Sequence, residues 1–273
     1  VVIACVTAYG QITLEVTSTH RHGGWVTDSP AEKVAYDAGT QRLYVTRPQD
    51  HSMDIVDISD PFAPEVLRTV DLSAELRRPN DIGLVNGLVA VVAASGPAEG
   101  SPGRLVILDL EGSVLATADL GARGHALDFT NDGRHVVVGC QHSVWLVDLT
   151  RFPLGPGSLR RVDFTSYDGR ETMLRALGVY LPEGSTASES LIPENLTVSP
   201  GDRTAWVTLQ ENNAIAVIDL RRARVSRIFG LGYKWHMLPG NGFDASDMDG
   251  EIRIRNWPVR GMYRADGIHA FKV

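Results

Sequence analysis

A chain of 273 residues that is 43% hydrophobic, 22% charged and 7% aromatic has the composition of an ordinary globular protein, which excludes the disordered and collagen-like classes. Its net charge of −7 and pI near 5.6 argue against a nucleic-acid binder, which would carry a basic stripe; the short arginine-rich stretch 221–227 reads as a solvated hairpin. No run approaches the roughly 18–20 apolar residues that span a bilayer, and Cys5 and Cys140 permit one disulfide without implying it.

Taken in chain order, residues 1–8 read as a strand or as the remnant of a processed segment. In "THRHGG", His20 and His22 stand two apart, which on a strand would place both imidazoles on one face as metal ligands; the plainer reading is a polar loop. From position 33 a four-strand unit recurs. Its first strand is "KVAYD", "DIGLV", "ALDFT" and "NLTVS"; its second is "RLYVTR", "GLVAVVAAS", "RHVVVGC" and "RTAWVTLQ". The third ends each time in an acid and an aliphatic residue, at Asp57-Ile58, Asp109-Leu110, Asp148-Leu149 and Asp219-Leu220. The fourth is "EVLRTVDLS", "VLATADLG", "RRVDFT" and "RVSRIFGLG", and turn signals such as "TNDG" and "SPGD" separate the strands. The start of a fifth unit, "ADGIHAFKV", closes the chain.

A four-stranded antiparallel meander that is apolar on both faces cannot bury them alone, so copies must stack around an axis and cover one another. The predicted fold is therefore an all-β propeller of four-stranded antiparallel blades, forming one domain over residues 1–273, with at least four blades and part of another. A sandwich would not require one motif to recur with the same internal order. The marker aspartates lie 52, 39 and 71 residues apart, against blade lengths of about 40–50 residues. The excess marks an insertion near residues 165–191, where Met173, Leu174, Leu177 and Val179 suggest a short surface helix. A second irregular segment spans 234–263, and long excursions on a repeat scaffold serve as functional loops or pack over a blade edge.

The strings "SPGDRTAWVTLQENNAIAVIDL" and "LPGNGFDASDMDGEIRIRNWPVRGMYRADGIHAF" resemble the choice-of-anchor I domain family, and "AEKVAYDAGTQRLYV", "DIVDISDP" and "PNDIGLVNGLVAVV" fit the same pattern. The resemblance extends from Tyr9 onwards. It implies a secreted or surface-anchored bacterial propeller related to the mesenchyme-specific cell-surface glycoprotein of sea urchins, located outside the cell, in the periplasm or on the cell surface. Some members carry an alkaline phosphatase label. It also implies a ring of about seven blades, within the usual four to eight, so that further blades or a partner chain would cover the open faces of this arc.

Aligning the blades places Glu32, Asn80, His125, Glu194 and Asp266 at one equivalent position, immediately before the innermost strand and so at the mouth of a central channel. Such a polar ring suits a hard cation or a hydroxyl- or amine-rich ligand, although channel mouths are wet and polar in propellers generally. In "DASDMDGEI", Asp244, Asp247 and Asp249 suggest a calcium loop. Ala245 and Asn256 break the EF-hand pattern, leaving a different calcium loop or a solvated acidic turn. No nucleophile elbow, P-loop or H-E-x-x-H occurs, and the Asn195-Leu196-Thr197 sequon lies on a predicted inner strand. Two functions follow: a binding or scaffold module for other proteins or extracellular matrix, with Ca2+ as its candidate cofactor, or a metal-dependent phosphoesterase with its site at the channel mouth.

Overall fold

The computed structural model describes residues 2–8, 11–18, 31–96 and 101–272, the first two stretches as backbone strands only; His20 and His22 lie outside the described residues. An antiparallel pair, β1 (Val2–Ala8) and β2 (Gln11–Ser18), precedes four sheets of four strands. The first comprises β3 (Val34–Asp37), β4 (Arg42–Arg47), β5 (Ser52–Asp57) and β6 (Glu65–Asp71), and the second β7 (Arg77–Val85), β8 (Leu88–Ala94), β9 (Gly103–Asp109) and β10 (Val114–Asp119). The third comprises β11 (Gly124–Phe129), β12 (His135–Cys140), β13 (Ser143–Asp148) and β14 (Leu159–Asp163), and the fourth β15 (Asn195–Val198), β16 (Thr204–Leu209), β17 (Ala214–Asp219) and β18 (Arg224–Gly230). In every sheet the spatial order equals the chain order, so these meanders are the blades that the repeats predict.

Each blade grades from a buried interior to a wet margin. Strands β8 and β9 bury both of their faces, which explains their nearly continuous apolar sequences, whereas β6 and β10 each bury one residue and carry charged or hydroxyl side chains among the apolar ones. The register slips at equivalent points, between Ile55 and Val56, between Ile107 and Leu108, and between Val217 and Ile218. A bulge there turns the outermost strand of each of these blades and increases its twist.

The acid–aliphatic signature has a local cause. Asp57 Oδ1 accepts the Ser59 amide at 2.7 Å, Asp109 Oδ1 those of Glu111 and Ser113, Asp148 Oδ1 that of Thr150, and Asp219 Oδ1 that of Arg222. The aspartate therefore satisfies backbone donors in the turn out of the third strand. The aliphatic residue's own amide then closes the ladder: Ile58 N donates to Gln41 O, Leu149 N to Arg134 O and Leu220 N to Arg203 O.

The chain divides into two compact units, Val1–Gln141 with Trp145–Arg160, and His142–Val144 with Arg161–Val273. In the first unit, Tyr44, Ile55, Val89 and Val91 share one buried cluster, and Val92, Leu105, Val136 and Val147 another. Backbones approach closely there; a Cβ on Gly103 would run into the carbonyl of Ala122. In the second unit the insertion forms α1 (Glu171–Ala176) and α2 (Ala187–Ser190). Leu174 and Val179 are buried while Met173 and Leu177 stay exposed, so the expected helix is six residues long and anchored by one of them. The second excursion carries a small hairpin, β19 (Tyr233–Trp235) paired with β20 (Arg260–Met262).

Candidate functional site

In the second unit both insertions converge on the turn between β16 and β17, where Asn212 and Asn213 are buried. Asn212 serves the first insertion: Oδ1 accepts Ile192 N at 3.0 Å, and Nδ2 donates to Tyr180 O (3.0 Å) and Ser190 O (2.9 Å). Asn213 serves chiefly the second, with a longer 3.5 Å bond from its Nδ2 to Gly178 O in the first. Its Nδ2 donates to Gly232 O at 2.8 Å, and its Oδ1 accepts Tyr263 N (2.9 Å) and Arg264 N (3.2 Å). Asn213 adopts φ of 51°, a left-handed conformation that asparagine tolerates and most residues do not. An ion pair between Arg264 and Glu211 at 2.6 Å fastens the same corner. Gly230, at the end of β18, admits the first insertion; a Cβ there would strike Leu177 O and the Gly178 backbone.

The resulting surface is aromatic and basic. Tyr180, Tyr233, Trp235 and Tyr263 are exposed, and the Arg260 guanidinium lies 3.8 Å from the Trp235 ring centre. Beyond β19 the chain is held by Phe243, which packs edge-on against His236 at 4.5 Å and lies near Trp257 at 6.4 Å. Trp257 Nε1 donates to Phe243 O, His236 Nδ1 to Asn241 O, and Asn256 Nδ2 to the carbonyls of His236 and Leu238. His236 is thus a packing residue, and His269 is exposed on the last segment.

The residues aligned at the blade openings fall in both units. In the first, Glu32 is exposed and borders a concavity of about 660 Å3 with Val34, Tyr36 and Leu43. Asn80 is committed at both ends, donating to Gly124 O at 2.7 Å and accepting from Arg123 at 3.3 Å, and His125 is half-buried. In the second unit the structure brings Glu194 and Asp266 to one threonine: Glu194 N donates to Thr208 O, and Thr208 Oγ1 donates to Asp266 O at 3.0 Å. Thr208 Oγ1 also accepts Asn195 N and donates to Asn195 O, just as Thr46 Oγ1 brackets the backbone of Lys33 in the first blade.

In the acidic loop, Asp244 accepts the amides of Ser246 and Arg253, Asp249 accepts that of Glu251, and Asp247 is exposed. Among the described residues no three His, Cys, Asp or Glu side chains are grouped as for a metal ion. Among them, too, no helix is long and apolar enough to cross a membrane. Sequence reasoning passed over Asn212, Asn213 and Gly230. The only signal was a pair of asparagines in a turn, which reads as ordinary turn chemistry.

Comparison with solved structures places the blades among β-propellers. The chain is similar to a Kuenenia stuttgartiensis hydrazine synthase chain (14% identity, TM-score 0.54, covering 77% of this chain and 52% of that one). It is also similar to the Cps50 (Swd1) β-propeller domain of Myceliophteria thermophila (11%, 0.57, 80% and 58%). A nidogen/laminin complex is a third (13%, 0.50, 73% and 63%). The chain thus spans between half and two thirds of the solved chains it matches, and at these identities the likeness shows the fold alone. No curated protein sequence matches it significantly. A family model matches residues 32–273, most of the length, and the chain belongs to the choice-of-anchor I domain family.

Proposed function

We propose that the chain is a binding module of a secreted or surface-associated protein, and that the surface around Asn212 and Asn213 engages another protein or extracellular matrix. One observation carries this reading: two separate insertions are fastened to one turn by a pair of saturated asparagines, so that they present Tyr180, Tyr233, Trp235, Arg260 and Tyr263 on a fixed frame. Tyr, Trp and Arg are the residue types that dominate interface energetics, and a preorganised surface loses less entropy on binding. The family's character as an anchored domain agrees with a location at the cell surface or outside the cell. In the same reading calcium braces the loop of Asp244, Asp247 and Asp249. A rise in Tm with CaCl2 that Asp249→Asn removes would support that.

The test is interferometry of the immobilised chain against purified matrix proteins. Saturable binding that falls at least tenfold in Tyr180→Ser/Tyr263→Ser, with Tm unchanged, is expected, since both side chains are exposed. Hydrolysis of p-nitrophenyl phosphate is measured in parallel with and without chelator. Chelator-sensitive turnover lost in Glu32→Ala and Glu194→Ala would replace the binding reading with the phosphoesterase.

A further inference from the structure

The connection between β19 and β20 carries a loop, residues 244–254, that places large aliphatic side chains in water. Met248 is 92% exposed, Ile252 89% and Ile254 71%. The loop is tied at its neck, where Asp244 Oδ2 accepts Arg253 N at 2.9 Å, and within it Asp249 accepts Glu251 N while Glu251 pairs with Arg253. Below the neck, Phe243 bridges to Arg255 and packs on His236. A surface loop that served only to connect would place polar residues at such positions. Three exposed aliphatics in one tied loop are instead what a buried interface anchor looks like before its partner arrives.

The charges around these residues state what kind of partner fits. Residues 244–254 hold four carboxylates, Asp244, Asp247, Asp249 and Glu251, against the single guanidinium of Arg253. With the loop free of calcium, its acidic tip is repelled by an anionic lipid surface, which disfavours membrane insertion. The whole chain carries −7, which disfavours a second copy of itself. Resting on the binding reading above and naming its partner's chemistry, we propose that this tip inserts Met248 and Ile252 into an apolar pocket rimmed by lysine or arginine on a different protein. Complete burial of one such side chain strengthens binding by about 10- to 100-fold.

The probe is a phage-displayed random 12-residue peptide library, panned in EDTA against the chain and counter-selected on Met248→Asp/Ile252→Asp. Both positions are solvent-exposed, so the variant keeps its fold and its Tm. Enriched peptides should combine aliphatic or aromatic anchors with Lys or Arg. They should lose at least tenfold in affinity for the tip variant, weaken as NaCl rises, and bind Tyr180→Ser/Tyr263→Ser within twofold of the parent. Several results would overturn the proposal: no discriminating peptide up to 100 µM, acidic or uncharged consensus peptides, equal binding to the tip variant, or a tip-dependent association with phosphatidylcholine–phosphatidylserine vesicles. If matrix binding is lost in the tyrosine variant but kept in the tip variant, this inference fails while the binding reading stands.

Discussion

Replacing Asn213 by alanine tests the fastening of the second insertion. Truncation leaves Tyr263 N, Arg264 N and Gly232 O without their partner. Because the groups are only partly buried, the low end of the cost of an unmade hydrogen bond applies, about 1 kcal/mol each. Alanine must also hold φ of 51°, which adds about 1 kcal/mol. The total is about 4 kcal/mol for Asn213→Ala and about 3 kcal/mol for Asn213→Gly, which accepts the conformation without strain. Urea unfolding followed by tryptophan fluorescence reads the second unit through Trp206, Trp235 and Trp257. Hydrogen exchange at the Tyr263 and Arg264 amides reads the fastening directly. If Asn213→Ala costs under 0.5 kcal/mol and those two amides exchange as in the parent, the asparagine does not hold the insertion and the reasoning fails.

Gly230→Ala should displace the first insertion, because its Cβ meets backbone rather than a yielding side chain; faster exchange at residues 177–180 with an intact β15–β18 sheet is the expected signature. His51 stands in the equivalent turn of the first blade with φ of 54°, and its Nδ1 accepts Arg78 N at 3.1 Å. His51→Asn, which borrows the residue used at position 213, should be nearly neutral, while His51→Ala should lower stability by about 1 kcal/mol; equal losses would contradict the equivalence. Hydrogen bonds in the turns hold the carboxyls of Asp57, Asp109, Asp148 and Asp219 below their ordinary value of 3.8. A lowered folded pKa means a contribution present above the unfolded value and lost as pH falls through the folded one. The urea midpoint should therefore drop below about pH 4, and the gap between Asp148→Asn and the parent should be widest near pH 6 and narrow as pH falls below 3.8. A constant gap between the two across that range would exclude the carboxylate as the cause.

The repeat was legible because its signals are local. Period-two alternation, a turn-capping aspartate and the aliphatic residue after it recur at each blade, and each needs only a few neighbouring residues to act. The helix near 171–176 was partly legible: an apolar pattern announces a helix, but which of Met173, Leu174 and Leu177 is buried depends on what it lies against. Alignment of the blades also nominated Asn80, yet the residues that occupy it, Gly124 and Arg123, lie 44 and 43 positions away along the chain.

By itself, then, the sequence determined the blade, its strand order and the two places where the chain leaves it, since hydrophobic period and turn chemistry are properties of short segments. Only the tertiary structure decided that both departures return to Asn212 and Asn213. That meeting rests on hydrogen bonds between residues 19 to 51 positions apart, whose formation depends on the blade first fixing the turn.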